Sequence, residues 1–168
     1  MERSFSGCEI AEMGVQIEKN GKGIFAGLSL KAKDPSAREV FRCLSEEDAR
    51  HVEVFKGIFD SKCLYKPKGA YTEEYFTYMN YIVKEYVSID ESRAMEIADK
   101  AGSDPEAVDL GVKYVKDAIL FYEGVKALLS GKDLSIVEEL LAQEKDHLTR
   151  LCSLKAKVTG KQGDCGKI

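Results

Sequence analysis

Histidine is nearly missing from this chain: two occur in 168 residues. Paired cysteines are missing too. The five cysteines (Cys8, Cys43, Cys63, Cys152 and Cys165) are odd in number, scattered, and never arranged as CxxC. That spacing excludes a dense disulfide scaffold and a cysteine zinc site. It predicts ordinary reduced thiols, with Cys165 the most exposed and reactive. No apolar run approaches the roughly 20 residues of a membrane span. The first residues, Met1 to Cys8, lack the apolar core of a signal peptide, so a cytoplasmic location is expected. Charge of one sign is also lacking. The net charge is −4 with acids and bases interspersed, which argues against a nucleic-acid or anionic-membrane partner. Three prolines and 44% hydrophobic residues describe an ordered, helical, globular chain. Its length suits one domain with one core.

Each of the two histidines follows a carboxylate by three residues: Asp48-Ala49-Arg50-His51 and Glu144-Lys145-Asp146-His147. On a helix that spacing puts both side chains on one face, about a turn apart, where they can grip one metal centre. The apolar residues of the same faces run through them. Val137, Leu140, Leu151, Leu154 and Val158 flank Glu144 and His147; Ala37, Phe41, Leu44, Phe55 and Ile58 flank Asp48 and His51. Burying a neutral polar group without a partner costs roughly 2–7 kcal/mol, and a charge costs more. A compensating partner is therefore required.

Periodicity predicts four long helices of about 39 Å each, over Ser6–Lys31, Pro35–Asp60, Asp104–Ser130 and Asp133–Val158. The first carries Ala11, Gly14, Glu18, Gly21, Phe25 and Leu28 on its seam; the third carries Val108, Gly111, Val115, Ala118, Tyr122, Val125 and Leu129. Asp34-Pro35 and Asp104-Pro105 read as helix starts with the same cap chemistry, an aspartate followed by proline at the first helical position. Between helices two and three lie a loop at Lys66-Pro67-Lys68-Gly69 and two shorter amphipathic helices, over Thr72–Val87 and Glu91–Ala101. The former is rich in tyrosine (Tyr71, Tyr75, Tyr78, Tyr81, Tyr86), a pattern that fits packing better than a cofactor box. Residues 159–168 read as a frayed, flexible tail. The architecture expected is an all-α four-helix bundle with a single long crossover, of ferritin type, carrying two short inserted helices.

The two halves resemble each other. Lys19 aligns with Lys116, Phe25 with Tyr122 and Gly27 with Gly124, and Glu18 aligns with Val115. The histidines follow 33 residues after Glu18 and 32 after Val115. A helical hairpin repeated about a pseudo-twofold axis would bring two half-sites together, each combining a carboxylate from its first helix with a carboxylate–histidine pair from its second.

A Glu on each of two helices and Glu-xx-His on the other two is the ligand set of a dinuclear carboxylate centre. On Glu18, His51, Tyr122, Glu144 and His147 the chain resembles the rubrerythrin diiron domain of the ferritin-like superfamily, over about Gly7 to Val158. The resemblance implies two iron ions held by Glu18, Asp48, His51, Glu144 and His147, acting on peroxide, dioxygen or ferrous iron. It also implies an external electron-transfer protein, since no paired CxxC motifs of a rubredoxin are present, and a homodimer. Three positions depart from the family pattern. Phe25 stands where a tyrosine is usual, Asp48 where the bridging residue is glutamate, and Val115 where the helix-three ligand should be.

Bland readings stand beside these. Glu144 and His147 would serve equally as a buried ion pair, and Tyr122 as a packed tyrosine rather than a hydroxyl bonded to a ligand. Carboxylates and imidazoles without thiolate suit iron, manganese or zinc. With Val115 unable to ligate, either water fills the gap and the centre still cycles, or that position is empty or takes a different ion. Two functions follow: a diiron oxidoreductase reducing peroxide or oxidising ferrous iron, or a non-catalytic metal-binding or scaffold protein holding one ion or none. A third, an interaction module built on the tyrosine-rich segment, needs an exposed aromatic patch.

Overall fold

A computed structural model describes residues 7–62, 73–82, 84, 91–127, 129 and 131–161. Among them the chain is all-helical, with no strand. The elements are α1 (Gly7–Lys31), α2 (Pro35–Lys62), α3 (Glu73–Ile82), α4 (Glu91–Asp99), α5 (Asp104–Lys126) and α6 (Gly131–Thr159). The four long ones have 25, 28, 23 and 29 residues. At about 1.5 Å per residue, each is long enough to run the length of a small domain.

α1 packs along α2 and α5 along α6, giving two hairpins; α2 meets α6 and α1 meets α5 where the hairpins face each other. α4 lies against α1, and α3 touches α5. The seams read from periodicity are the buried faces. Phe25, Leu28, Phe41, Leu44, Phe55, Val108, Val115, Tyr122, Leu140 and Leu151 are each 2% exposed or less. Burial of aliphatic and aromatic side chains, at about 25 cal/mol per Å² of apolar surface, is what joins the hairpins. Phe25 stacks on Phe41 with ring centroids 6.3 Å apart, and Phe55 on Tyr122 at 5.7 Å. No helix among the described residues is long and apolar enough to cross a membrane.

The helix boundaries shift for identifiable reasons. Asp34 caps α2 as expected: its Oδ1 accepts from the backbone N–H groups of Ser36 (2.8 Å) and Ala37 (3.0 Å), and Pro35 opens the helix. At α5 the cap is Ser103, not Asp104. Ser103 is extended (φ −151°, ψ 162°) and accepts from the N–H of Glu106, whose carboxylate reaches back to the N–H of Gly102. Ser103-Asp104-Pro105-Glu106 is thus a capping-box variant, and a serine with glutamate three residues on competes well for the cap. Freed from capping, the Asp104 carboxylate accepts from the backbone N–H groups of Lys33 (2.9 Å) and Asp34 (2.7 Å). It thereby ties the α1–α2 link to the start of the second hairpin. α5 stops at Lys126 rather than Ser130, and α6 starts at Gly131 rather than Asp133. Gly131 turns the chain at φ +61°, a left-handed conformation that glycine adopts without strain.

α3 lies within the expected Thr72–Val87, of which residues 72, 83 and 85–87 are outside the described ones, and α4 ends at Asp99. The loop at Lys66–Gly69, Tyr71, Tyr86 and the side chains of Ile58 and Tyr75 lie outside the description. The last helix runs through Thr159, the first residue of the expected tail, while 162–168 are outside the description. Cys43 is a free thiol but Cys152 is disulfide-bonded. Reduced thiols throughout is therefore incorrect, because spacing along the chain says nothing about which sulfurs folding brings together. Cys63 and Cys165 are outside the described residues.

Replacing Asp104 with alanine removes two charge-assisted hydrogen bonds between the hairpins. Its unfolding free energy in urea should fall by about 1–3 kcal/mol, with no change in the helical circular dichroism of the folded state.

Candidate metal centre

Seven polar or charged residues are buried among the described ones, and five of them meet at one level of the bundle. Glu18 is 2% exposed, Asp48 3%, His51 3%, Glu144 3% and His147 1%. Each comes from a seam position where the helix period calls for an apolar side chain, so the helices that bury the core also carry these groups inward. One ligand atom from each of Glu18, Asp48, His51 and Glu144 lies within 4.8 Å of all the others.

The arrangement has a middle and two flanks. His51 Nδ1 is 3.0 Å from Glu18 Oε2, 3.4 Å from Glu144 Oε1 and 4.0 Å from Asp48 Oδ1. His147 Nδ1 is 3.4 Å from the same Glu144 oxygen and 3.7 Å from the same Asp48 oxygen. Glu144 Oε1 and Asp48 Oδ1 therefore stand between two imidazoles, whose rings are nearly parallel with centroids 5.7 Å apart. Glu18 closes one flank beside His51. The equivalent place in the second hairpin belongs to Val115, 1% exposed and apolar.

Three atoms in this cluster are buried and have no hydrogen-bond partner: Asp48 Oδ1, Glu144 Oε1 and His147 Nδ1. Leaving three such atoms unsatisfied would cost several kcal/mol, at about 1–3 kcal/mol or more each. They are the atoms that face one another. Ligands held about 2.0–2.2 Å from a first-row ion are separated by about 2.8–3.6 Å in octahedral or tetrahedral geometry; the histidine–carboxylate separations here are 3.0–4.0 Å, and the group as a whole, within 4.8 Å, has to contract around an ion. Donor chemistry, burial and spacing all fit a cation. The group could hold a metal ion, with His147 beside it.

Without a cation, protons must balance the charge. Burial raises Glu18 above the usual carboxylate range, and the nearby Glu144 charge adds to it against the His51 hydrogen bond. Burial lifts Asp48 further, reinforced by Glu18 and Glu144. Glu144 moves the other way: its desolvation is outweighed by the His147 and His51 imidazoles beside it. Burial opposes charging of His51, but the Glu144 and Glu18 carboxylates beside it win and push it up to about 11. His147 is raised for the same kind of reason, by Glu144 and Glu47 against its desolvation.

Tyr122, fully buried, donates its hydroxyl hydrogen bond to Glu18 Oε1. It is thus bonded to a candidate ligand, not merely packed. Burial and the Glu18 charge hold its phenol well above the usual range, so it stays a donor. Tyr122 and Glu18 are the repeat counterparts of Phe25 and Val115. The second hairpin has no carboxylate at Val115, and the first has, at Phe25, no hydroxyl that could have bonded one. The two departures form one exchange of a polar pair for an apolar pair.

Three residues escaped the sequence reading. Asp48 Oδ2 is held so close to α1 that a β-carbon on Gly21 would lie 2.2 Å from it; the glycine on the seam of α1 is the space that carboxylate occupies. Glu47 Oε2 lies 2.7 Å from His147 Nε2, and Gln143 Oε1 lies 2.8 Å from His51 Nε2. A signal for the last two existed: each immediately precedes a site carboxylate in the repeated stretch, Glu47-Asp48 and Gln143-Glu144. Compared with protein-family models, with curated proteins and with solved structures, the chain matches none.

Two outcomes follow. Gly21→Ala should improve intrinsic helix propensity by up to about 1 kcal/mol yet displace Asp48; metal affinity, measured by chelator competition, should drop at least tenfold while the fold survives. In metal-free protein, the stability conferred by charged His51 is fully present below about 6.5, its unperturbed value, and is lost as pH climbs through about 11. The urea midpoint should accordingly decline across that range, and a flat profile would contradict this ionisation.

Proposed function

We propose that the chain is a ferritin-like bundle, with α3 and α4 inserted in the crossover, and that it works as a non-haem diiron oxidoreductase of rubrerythrin type. Its reaction is reduction of peroxide, with ferrous iron oxidation as the related activity. The observation that carries this is the convergence of three unpartnered buried ligand atoms, Asp48 Oδ1, Glu144 Oε1 and His147 Nδ1, upon the set formed with Glu18 and His51. A structural ion pair needs no such orphaned atoms. Resemblance to the family supplies the choice of iron over manganese or zinc.

Iron held by Glu18, Asp48, His51, Glu144 and His147 would supply one-electron redox chemistry. The protein's own groups do the rest. Asp48 and Glu144, set between the two imidazoles, offer oxygens to either side. Tyr122 holds Glu18 in place, and the Phe55 and Phe121 rings against Tyr122 keep bulk water from that flank. Peroxide reduction consumes two electrons and two protons to give two waters. The electrons are assigned to an external electron-transfer protein.

A second reading has its own support. Val115 and Phe25 make one flank apolar, which favours a single retained ion and a centre that stabilises the bundle without turnover. Iron stoichiometry and turnover on the same sample separate the two. For the oxidoreductase, iron-loaded protein given peroxide and a reductant should bind two irons and turn over well above free iron; two bound irons without such turnover would defeat it. For the one-ion reading, the exchange should be reversible only as a pair. Val115→Glu alone buries an unsatisfied carboxylate and should cost several kcal/mol of stability, whereas the Phe25→Tyr, Val115→Glu double variant should recover part of that loss and raise the iron content from one toward two.

A further inference from the structure

Each histidine has one ring nitrogen facing the site and one facing away, and the outward nitrogens are not left to solvent. His51, on α2, meets Gln143 of α6 at 2.8 Å, and His147, on α6, meets Glu47 of α2 at 2.7 Å. The gripping residues are equivalent in the repeat, each one position ahead of a site carboxylate, and each holds the histidine of the opposite hairpin. Glu47 is itself anchored by Arg150, whose Nη1 lies 2.8 Å from the oxygen that meets His147. An imidazole can present either nitrogen to a cation, and the partner of the other nitrogen decides which.

We propose that Glu47 and Gln143 are positioning residues for the metal centre, a crossed pair that locks Nδ1 of both histidines inward and couples the ligand geometry of one hairpin to the other. The inference rests on the metal-binding reading above. Both Nε2 atoms act as donors, to the Glu47 carboxylate and to the Gln143 amide oxygen. The two locks differ in charge. His147 leans on a carboxylate tied to Arg150, while His51 leans on a neutral amide, so the imidazole held by Glu47 is the more strongly electron-donating toward a cation.

Zinc serves as a diamagnetic probe on the full chain. Wild-type, Glu47→Ala, Gln143→Ala and the conservative Glu47→Gln proteins are titrated against a chromophoric chelator, and the histidine Nε2–H resonances of the zinc-loaded forms are followed by NMR. Each alanine variant should bind zinc about 10–100-fold more weakly. Glu47→Gln should recover most of that affinity, because an amide oxygen still accepts from Nε2–H. The protected Nε2–H signal of His147 should vanish in Glu47→Ala and that of His51 in Gln143→Ala, each loss appearing on the opposite hairpin. A purely structural role would produce neither the crossed pattern nor the rescue. Should Glu47→Ala fail to fold by circular dichroism, Gln143→Ala and Glu47→Gln carry the test. Variants binding zinc within twofold of wild type, with both Nε2–H signals intact, overturn the positioning role alone. Wild-type protein that takes up no zinc, iron or cobalt overturns it together with the metal reading beneath it.

Discussion

Five ionisable side chains share a space from which water has been removed, and every other feature of the site answers to that constraint. Three carboxylates and two imidazoles converge with 1–3% of their surfaces exposed. Desolvating an ion costs several kcal/mol even after relaxation, so the bundle centre is tolerable only when charges are matched closely. Protons can do the matching, with His51 held charged by Glu18 and Glu144. Asp48 Oδ1, Glu144 Oε1 and His147 Nδ1 nevertheless face one another without a hydrogen-bond partner. A cation placed among them could satisfy all three together.

The bundle is organised to keep that convergence from slipping. The hairpins are joined at one end by Asp104, whose carboxylate gathers the backbone of the α1–α2 link, and in the middle by the crossed contacts of Glu47 and Gln143 with the histidines. Tyr122 reaches from the second hairpin to Glu18 on the first. Around these polar ties the stacked rings of Phe25 with Phe41 and Phe55 with Tyr122 fix the separation of the helices. Small residues then set how near the polar groups come. Gly21 leaves room for Asp48, and a methyl there would collide with it.

The repeat gives the departures their meaning. Taken singly, Phe25 and Val115 are two unrelated apolar residues at positions whose repeat counterparts are polar. In three dimensions their counterparts, Tyr122 and Glu18, are donor and acceptor of one buried hydrogen bond. Removing only the acceptor would orphan a hydroxyl; removing only the donor would expose a carboxylate to apolar surroundings. Phe25 and Val115 are both apolar, so at those two positions neither a hydroxyl nor a carboxylate is left without its partner. The asymmetry therefore belongs to a well-packed protein rather than a damaged one.

The amino-acid sequence by itself determined the helical class, the two hairpins and the identity of the inward-facing carboxylates and histidines, because a period near 3.6 and a spacing of three residues are properties of the chain alone. Proline and aspartate marked the start of α2 for the same local reason, though Ser103 took the cap of α5 through a contest between neighbours that spacing does not resolve. Tertiary structure decided what lies 92, 97, 100 or 104 residues away: Gln143 against His51, Tyr114 against the Ile17 carbonyl, Glu47 against His147 and Tyr122 against Glu18. Those pairings depend on how two helices are rotated and shifted against each other. Packing of whole faces sets that rotation, and no short stretch of residues encodes it.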